Sequence, residues 1–398
     1  MLKRNKPVKI KRYRRSFSGA GDRNNLLRRI AFWCAVLAVV FALGWLIAKP
    51  GLDLASSIWY GYKNRDDSSS QSAASGSSQV SSLPEGGGAD SAPDSTPEQP
   101  QTDSVSWASV ALSSVDTPEK AAELANRLAE QGITHAVLTL KDDRGYLYYN
   151  STVPLAASAI SSAAVDAGSI AETFRQAGIT PVAGLCAFKD SLAPYADRSA
   201  AVKYGNEENV TWLDTSAELG GKPWLNPNSA VAQQYIADLI AEVRDLGFDT
   251  VLVQNLQFPE GYGLELAGYG EMTVSRSELL AQLGQRYQAI EGVEVWFEFP
   301  ASAILGQSLT GYDASPAGFG LERVIARLDA GTTVNEAGET VSVPPATDAE
   351  SLAALFAPLR DGGVQQAGLR INGLSGEALT AAGETARQTG FVCFFPAV

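Results

Sequence analysis

The chain has 398 residues, 45% of them apolar and 19% charged, enough to bury one large core or two smaller ones. A formal net charge of −13 argues against a nucleic-acid binder. One histidine and three cysteines exclude most zinc and haem sites and any Ser–His–Asp triad that needs a spare imidazole. Hydrolytic chemistry here must rest on carboxylates, amides, Lys, Arg or Tyr, and nothing in the composition calls for a metal or an organic cofactor.

The charge is unevenly spread. Residues 1–49 hold 12 Lys/Arg and a single acid, Asp22, while the remainder holds 19 basic and 43 acidic residues. Residues 1–29 form a basic arm. The run 30–48, IAFWCAVLAVVFALGWLIA, carries no charge. As a helix it would extend roughly 28 Å, close to the hydrocarbon thickness of a bilayer. Basic flanks stay on the cytoplasmic side, so the sequence predicts a single-pass anchor through the lipid bilayer at the cell membrane, N-terminus cytoplasmic and body extracellular. A cleaved signal peptide fits less well, because the charged region and the apolar run are both too long and no small-x-small cleavage site follows. Residues 49–104 form a juxtamembrane segment and linker. The part from 64 on is rich in Ser, Gly, Gln, Pro and Asp and has too little apolar surface to fold, so it reads as a flexible tether with a reach of roughly 35 Å.

From residue 105 to 398 apolar strand-like runs alternate with helix-period stretches. The runs are SWASVAL, HAVLTL, PVAGLCAF, TVLVQNLQF, VEVWFEF, RVIARL, QAGLRI and FVCFF. Helices are expected over 117–131, with Asp116 as a cap candidate and Pro118 early in the first turn, and over 169–177, 229–246, 275–290, 348–359 and 376–389. Helix–Gly–strand joints such as QAGITPVAGL and DLGFDTVLV signal βα units and a parallel sheet. Eight strand candidates fit an α/β (β/α)8 TIM-like barrel, with a weak fifth unit over 301–320 and no final helix. An open doubly wound sheet is the alternative, but SSVDTPEK after the first strand lacks its glycine-rich loop. Cys186 and Cys393, far apart in apolar runs, read as two buried free thiols rather than a disulfide.

In such a barrel chemistry sits at the carboxyl ends of the strands. There the sequence places KDDRGYLYYNSTVPLA (141–156), FKD (188–190), QNLQFPEG (254–261), Glu298, Asp329, Arg370 and Asn372. The set KDDRGYLYYNSTVPLA, AFKD, WLNPNS and GFDTVLVQNLQFPEG resembles the putative glycosyl hydrolase domain of bacterial membrane-anchored proteins. The resemblance spans about 106–330 and is clearest over 134–262. It implies a TIM barrel acting on carbohydrate. Three positions depart from the family pattern: Thr139 stands where the second-strand motif has an acid, and Gln254 and Gln257 stand where the fourth-strand motif has Asp and Arg.

Glycoside hydrolysis needs two carboxyl groups. Glu298, which interrupts an apolar strand, is the best general acid candidate, with Asp142, Asp143 or Asp329 as its partner. A buried acid also needs a counter-charge, and Arg370 could make a purely structural pair with it. Asp142 and Asp143 read equally well as a turn cap before Gly145 or as a pair with Lys141. Tyr146, Tyr148, Trp212 and Trp224 offer faces for sugar rings, and Asn226, Gln254, Asn255 and Gln257 offer amides for hydroxyls. Lys189 and Asp190 join this candidate substrate-binding set with Arg370 and Asn372, while the Tyr-rich stretch could equally be a hairpin on the barrel rim. His135 lies at a strand start, away from this face. Two functions follow: an anchored glycoside hydrolase acting on cell-wall or extracellular polysaccharide, or a barrel that binds a glycan or an envelope protein without cleaving it. A plain spacer is a third possibility, and no protein partner is identified.

Overall fold

A computed structural model describes residues 105–334 and 340–396. The readings of the basic arm, the apolar run 30–48 and the linker lie outside the described residues. Among the described residues no helix is long and apolar enough to cross a membrane.

Eight strands form the centre: β1 Val105–Ala111, β2 His135–Lys141, β3 Thr180–Cys186, β4 Thr250–Gln254, β5 Glu294–Pro300, β6 Arg323–Leu328, β7 Gln366–Ile371 and β8 Cys393–Phe394. Each pairs in parallel with the next, and β8 pairs with β1, so the sheet closes into a barrel. The seam is short. Val105 and Ser106 on one side, and Gly368 and Leu369 on the other, register with Cys393 and Phe394, and the flanking Val392 and Phe395 add backbone bonds to Val105, Ala367 and Leu369. Strand period two sorts each strand into two buried faces. Trp107, Val137, Val182, Leu252, Trp296, Ile325, Cys393 and Phe395 pack together inside the barrel. The alternating set, including Leu138, Leu185, Val253 and Phe297, packs outward with the helices. Cys186 and Cys393 are buried free thiols, as the sequence suggested. Gly368 leaves the room Cys393 needs, since a Cβ there would lie 2.2 Å from its Sγ.

Among the described residues six helices of ten or more residues wrap this barrel: α1 Pro118–Glu130, α2 Ala167–Gln176, α3 Ala230–Asp245, α4 Arg276–Gln288, α5 Ala349–Asp361 and α6 Gly376–Thr389. Side-chain caps start most of them. Thr117, Asp166, Ser229, Ser275 and Asp348 each accept a hydrogen bond from a backbone N–H of the first turn. The cap of α1 is thus Thr117, not Asp116, which instead pairs with Lys120 at 2.7 Å. Gly178, Gly247 and Gly292 follow three of the helices in left-handed backbone, at φ of 80°, 95° and 79°. The unit after β5 is reduced to the turn Ala301–Ile304 and the 3-10 turn Pro316–Gly318.

Two additions flank the barrel. Leu147–Tyr149 and Ile160–Val165 extend the sheet beyond β2. Lys203–Tyr204, Glu207–Thr211 and Ala267–Gly268 make a small antiparallel sheet. The first addition is tied to α3 through Glu242, whose Oε2 accepts from Tyr149 at 2.7 Å and Ser151 at 2.6 Å. Its Oε1 accepts from the Thr152 hydroxyl at 2.7 Å and from the Thr152 backbone N–H. Burial works to raise this carboxyl's pKa, but the hydrogen bonds outweigh it and hold the group below its ordinary 4.5. The contribution to stability is therefore present above pH 4.5 and fades as pH falls below it. Glu242→Gln should melt at a lower temperature than the parent chain at neutral pH, with the gap narrowing in thermal melts run below pH 4.5. A gap independent of pH would show that these bonds do not depend on the charge.

At the opposite, amino-terminal end of the strands His135 stacks on Trp107, with ring centroids 5.2 Å apart and planes 7° from parallel. Burial draws its pKa below the usual histidine value, partly opposed by Glu294. Its place is structural.

Candidate functional site at the barrel mouth

The carboxyl ends of β4 to β7 bring four polar side chains into the barrel. Gln254 lies two residues beyond Leu252, Glu298 beyond Trp296, Arg327 beyond Ile325 and Arg370 beyond Gly368, so all four share the inward face. Registry aligns them: Gln254 pairs with Glu298 across β4–β5, and Arg327 with Arg370 across β6–β7.

Glu298 is the hub and is 2% exposed. The Gln254 amide donates to its Oε1 at 2.9 Å, and Arg327 Nη1 donates to the same oxygen at 3.3 Å. Arg370 Nε approaches Oε2 at 3.1 Å, but at an angle outside hydrogen-bond geometry, so this contact is Coulombic. Arg327 continues outward to Asp329, with Nε 2.9 Å from Oδ2, and the Asn372 amide donates to the other Asp329 oxygen at 2.7 Å. Burial opposes the Arg327 charge, but Asp329 and Glu298 outweigh it and hold the guanidinium above its ordinary range. For Arg370 burial wins and draws the pKa down, with Glu298 opposing. The structure therefore joins five residues singled out in the sequence: Glu298, Asp329, Gln254, Arg370 and Asn372. It adds Arg327, which the sequence reading passed over. The signal was present in RVIARL, whose alternation sets Arg327 on the face of Ile325.

A second group gathers at the ends of β2 and β3. Asp142 caps its own turn. Its Oδ1 accepts from the backbone N–H groups of Arg144 at 3.0 Å and Tyr146 at 2.9 Å, and its Oδ2 from the Tyr148 hydroxyl at 3.1 Å and from Arg144. It shares no partner with Glu298. Asp143 and Lys189 form an exposed pair at 3.1 Å. Tyr146 is exposed under the Arg144 guanidinium, and Tyr148 is half-buried. Asn255 stands in left-handed backbone at φ 52° and donates its amide to Cys186 Sγ at 3.1 Å. Burial pushes that thiol up to about 11, which keeps it protonated and unreactive at neutral pH.

Five residues predicted to touch substrate are built into the scaffold instead. Asp190 is sealed against Lys141 at 2.9 Å, with both side chains 0% exposed, and its Oδ1 accepts from the N–H groups of Leu192 and Ala193. Lys141 also donates to the carbonyls of Cys186 and Ala187, and the register of β2 against β3 shifts between Thr139 and Lys141. Gly145 closes the lid on this pair, since a Cβ there would sit 2.1 Å from Asp190 Oδ1. Trp212 and Trp224 form a small core with Val202, and their indole N–H groups point to Gly263 O and Asp214. No sugar can stack on rings this buried, at 1% and 3% exposure. Asn226 is buried and donates to Tyr269 O. Gln257 is buried and accepts the Tyr312 hydroxyl at 2.6 Å. Among the described residues no group of three or more His, Cys, Asp or Glu could hold a metal ion.

Residues 109–295 match the sequence model described as a putative glycosyl hydrolase domain. No curated protein sequence matches the chain. Among solved structures it is similar to the glycoside hydrolase domain of PgaB (BpsB) from Bordetella bronchiseptica, at 14% identity and TM-score 0.50, covering 73% of this chain and 94% of that one. It is also similar to the catalytic domain of beta-amylase from Paenibacillus polymyxa, at 10% identity and TM-score 0.48, covering 74% and 92%. A hypothetical protein from Ruminiclostridium thermocellum aligns at 21% identity and TM-score 0.43, covering 48% and 96%. At such identities the PgaB likeness speaks for the fold alone.

Proposed function

We propose that this chain, whose residues 109–295 match the model of the putative glycosyl hydrolase domain, is a glycan-binding barrel. In this reading residues 30–48 anchor it in a membrane and the barrel faces outward, toward cell-wall or extracellular polysaccharide. The observation that carries the reading is the state of Glu298. A general acid must touch the bond it protonates. Glu298 is instead closed off by Gln254, Arg327 and Arg370. Amides and guanidinium groups at a barrel mouth still suit a hydroxyl-rich ligand.

One observation favours hydrolysis as a second reading. Glu298 and Asp329 contact the same guanidinium, at 3.3 and 2.9 Å. Their oxygens are then no more than roughly 8–9 Å apart, a span open to the carboxylate pairs of glycosidases. The test is to incubate the full chain in detergent with purified wall and extracellular glycans, following binding and new reducing ends together. Binding without new reducing ends is the expected result. Cleavage that falls roughly 10²–10⁴-fold in Asp329→Asn would replace the binding reading with the hydrolytic one. Absence of both binding and cleavage would sink both.

A further inference from the structure

Arg370 has donors that no hydrogen bond among the described residues uses. Its Nε and Nη2 are buried and make no hydrogen bond among the described residues. Its guanidinium carbon lies 4.0 Å from the centroid of the Phe395 ring, which fixes the plane of the fork. Its ion-pair partner among the described residues, Glu298, meets it at 3.1 Å off the hydrogen-bonding direction. A charged donor without an acceptor is costly to bury, and a fold retains one where an acceptor arrives from outside. Arg327 stands in register beside it and is a quarter exposed. The Asn372 amide sits two residues further along the same strand end. On this side of the mouth Glu298 Oε1 and both Asp329 oxygens are engaged by Gln254, Arg327 and Asn372, while Glu298 Oε2 is as unbonded as Arg370 Nε and Nη2, so two donors face one open acceptor.

A planar group with two oxygens matches a guanidinium fork better than a hydroxyl does. We infer that the glycan taken at this mouth carries a carboxylate on its sugar units, and that Arg370, assisted by Arg327, receives it. The inference rests on the glycan-binding reading above. The chain as a whole is acidic and gives such a ligand no long-range attraction. Selectivity must therefore arise at contact, as a ratio of affinities between a carboxylated glycan and its neutral counterpart.

Calorimetric titration of the full chain with oligogalacturonate and hyaluronan fragments, each beside its carboxyl-reduced form, measures that ratio. For at least one pair the carboxylated form should bind about tenfold tighter. Arg370→Gln should collapse the ratio to about one, and Arg370→Lys, which keeps charge without the fork, should restore only part of it. Thermal melts establish that each variant is folded, and Arg327→Gln provides a less buried variant with the same expected direction. Equal affinity within every pair overturns the inference and leaves the glycan reading standing. A preference that survives both arginine substitutions also overturns it, as does tighter binding of dextran sulfate than of any carboxylated glycan. Failure of every glycan to bind defeats the glycan reading itself, and the inference with it.

Discussion

Glu298→Gln should destabilise the barrel by about 3–5 kcal/mol, the range for breaking a buried ion pair by removing one partner. The glutamine fits the space. Yet Arg370 would keep its burial and lose its nearest counter-charge, while Arg327 would retain Asp329. Urea unfolding should show the midpoint falling with the slope unchanged, since the native surface is not altered. The diagnostic is the double variant Glu298→Gln/Arg370→Met, which removes both charges. Its loss should be smaller than the sum of the single losses, a coupling of the kind that contacting residues show. Additive losses would mean that the 3.1 Å approach carries no energy.

The second large effect is expected at Lys141, far from the arginines. Lys141→Met keeps the length of the side chain but strands Asp190 in a site where both groups are 0% exposed. Two backbone N–H groups would remain as its only donors. A cost of about 3–5 kcal/mol follows here too. The surroundings make it hard to relieve, because Gly145 lies directly over the carboxylate and the Tyr235 ring flanks the ammonium at 5.8 Å. Lys141→Met/Asp190→Asn should recover part of the loss. If Lys141→Met unfolds at the same urea concentration as the parent chain, the pair is not a support of the β2–β3 end.

These two pairs show how far the residues alone could be read. The eight strands were legible because each is apolar on both faces and bounded by turn residues, and the helices because caps and terminal glycines mark their ends. Even the short unit after β5 showed as a stretch without helical period. Glu298 stood out for a simple reason: a charge inside WFEFP has to be answered by another, and Arg370 was one of two arginines that answer it. What remained hidden depends on contacts distant in sequence. Lys141 and Asp190 both sit in polar loop-like strings, and only the closing turn at Gly145 buries them. Trp212 and Trp224 look like mouth aromatics because they follow β3. The small sheet that turns them inward requires Ala267–Gly268, which is supplied from beyond β4. Local pattern determines which face a residue occupies, not what a later segment lays over it.

The narrow seam at β8 has a consequence for how the ring is assembled. Every other junction of the barrel joins units that follow one another along the chain, but this one joins the first strand to the last through Cys393 and Phe394. Pairings between such distant segments are slow to form, because the loop entropy is lost before the contact rewards it. Until the clasp engages, β1 and β7 are raw edges, open to strands of another molecule. The step most exposed to aggregation is therefore closure of the ring rather than the forming of any one unit. It is governed by the short segment 392–395, whose backbone closes the ring.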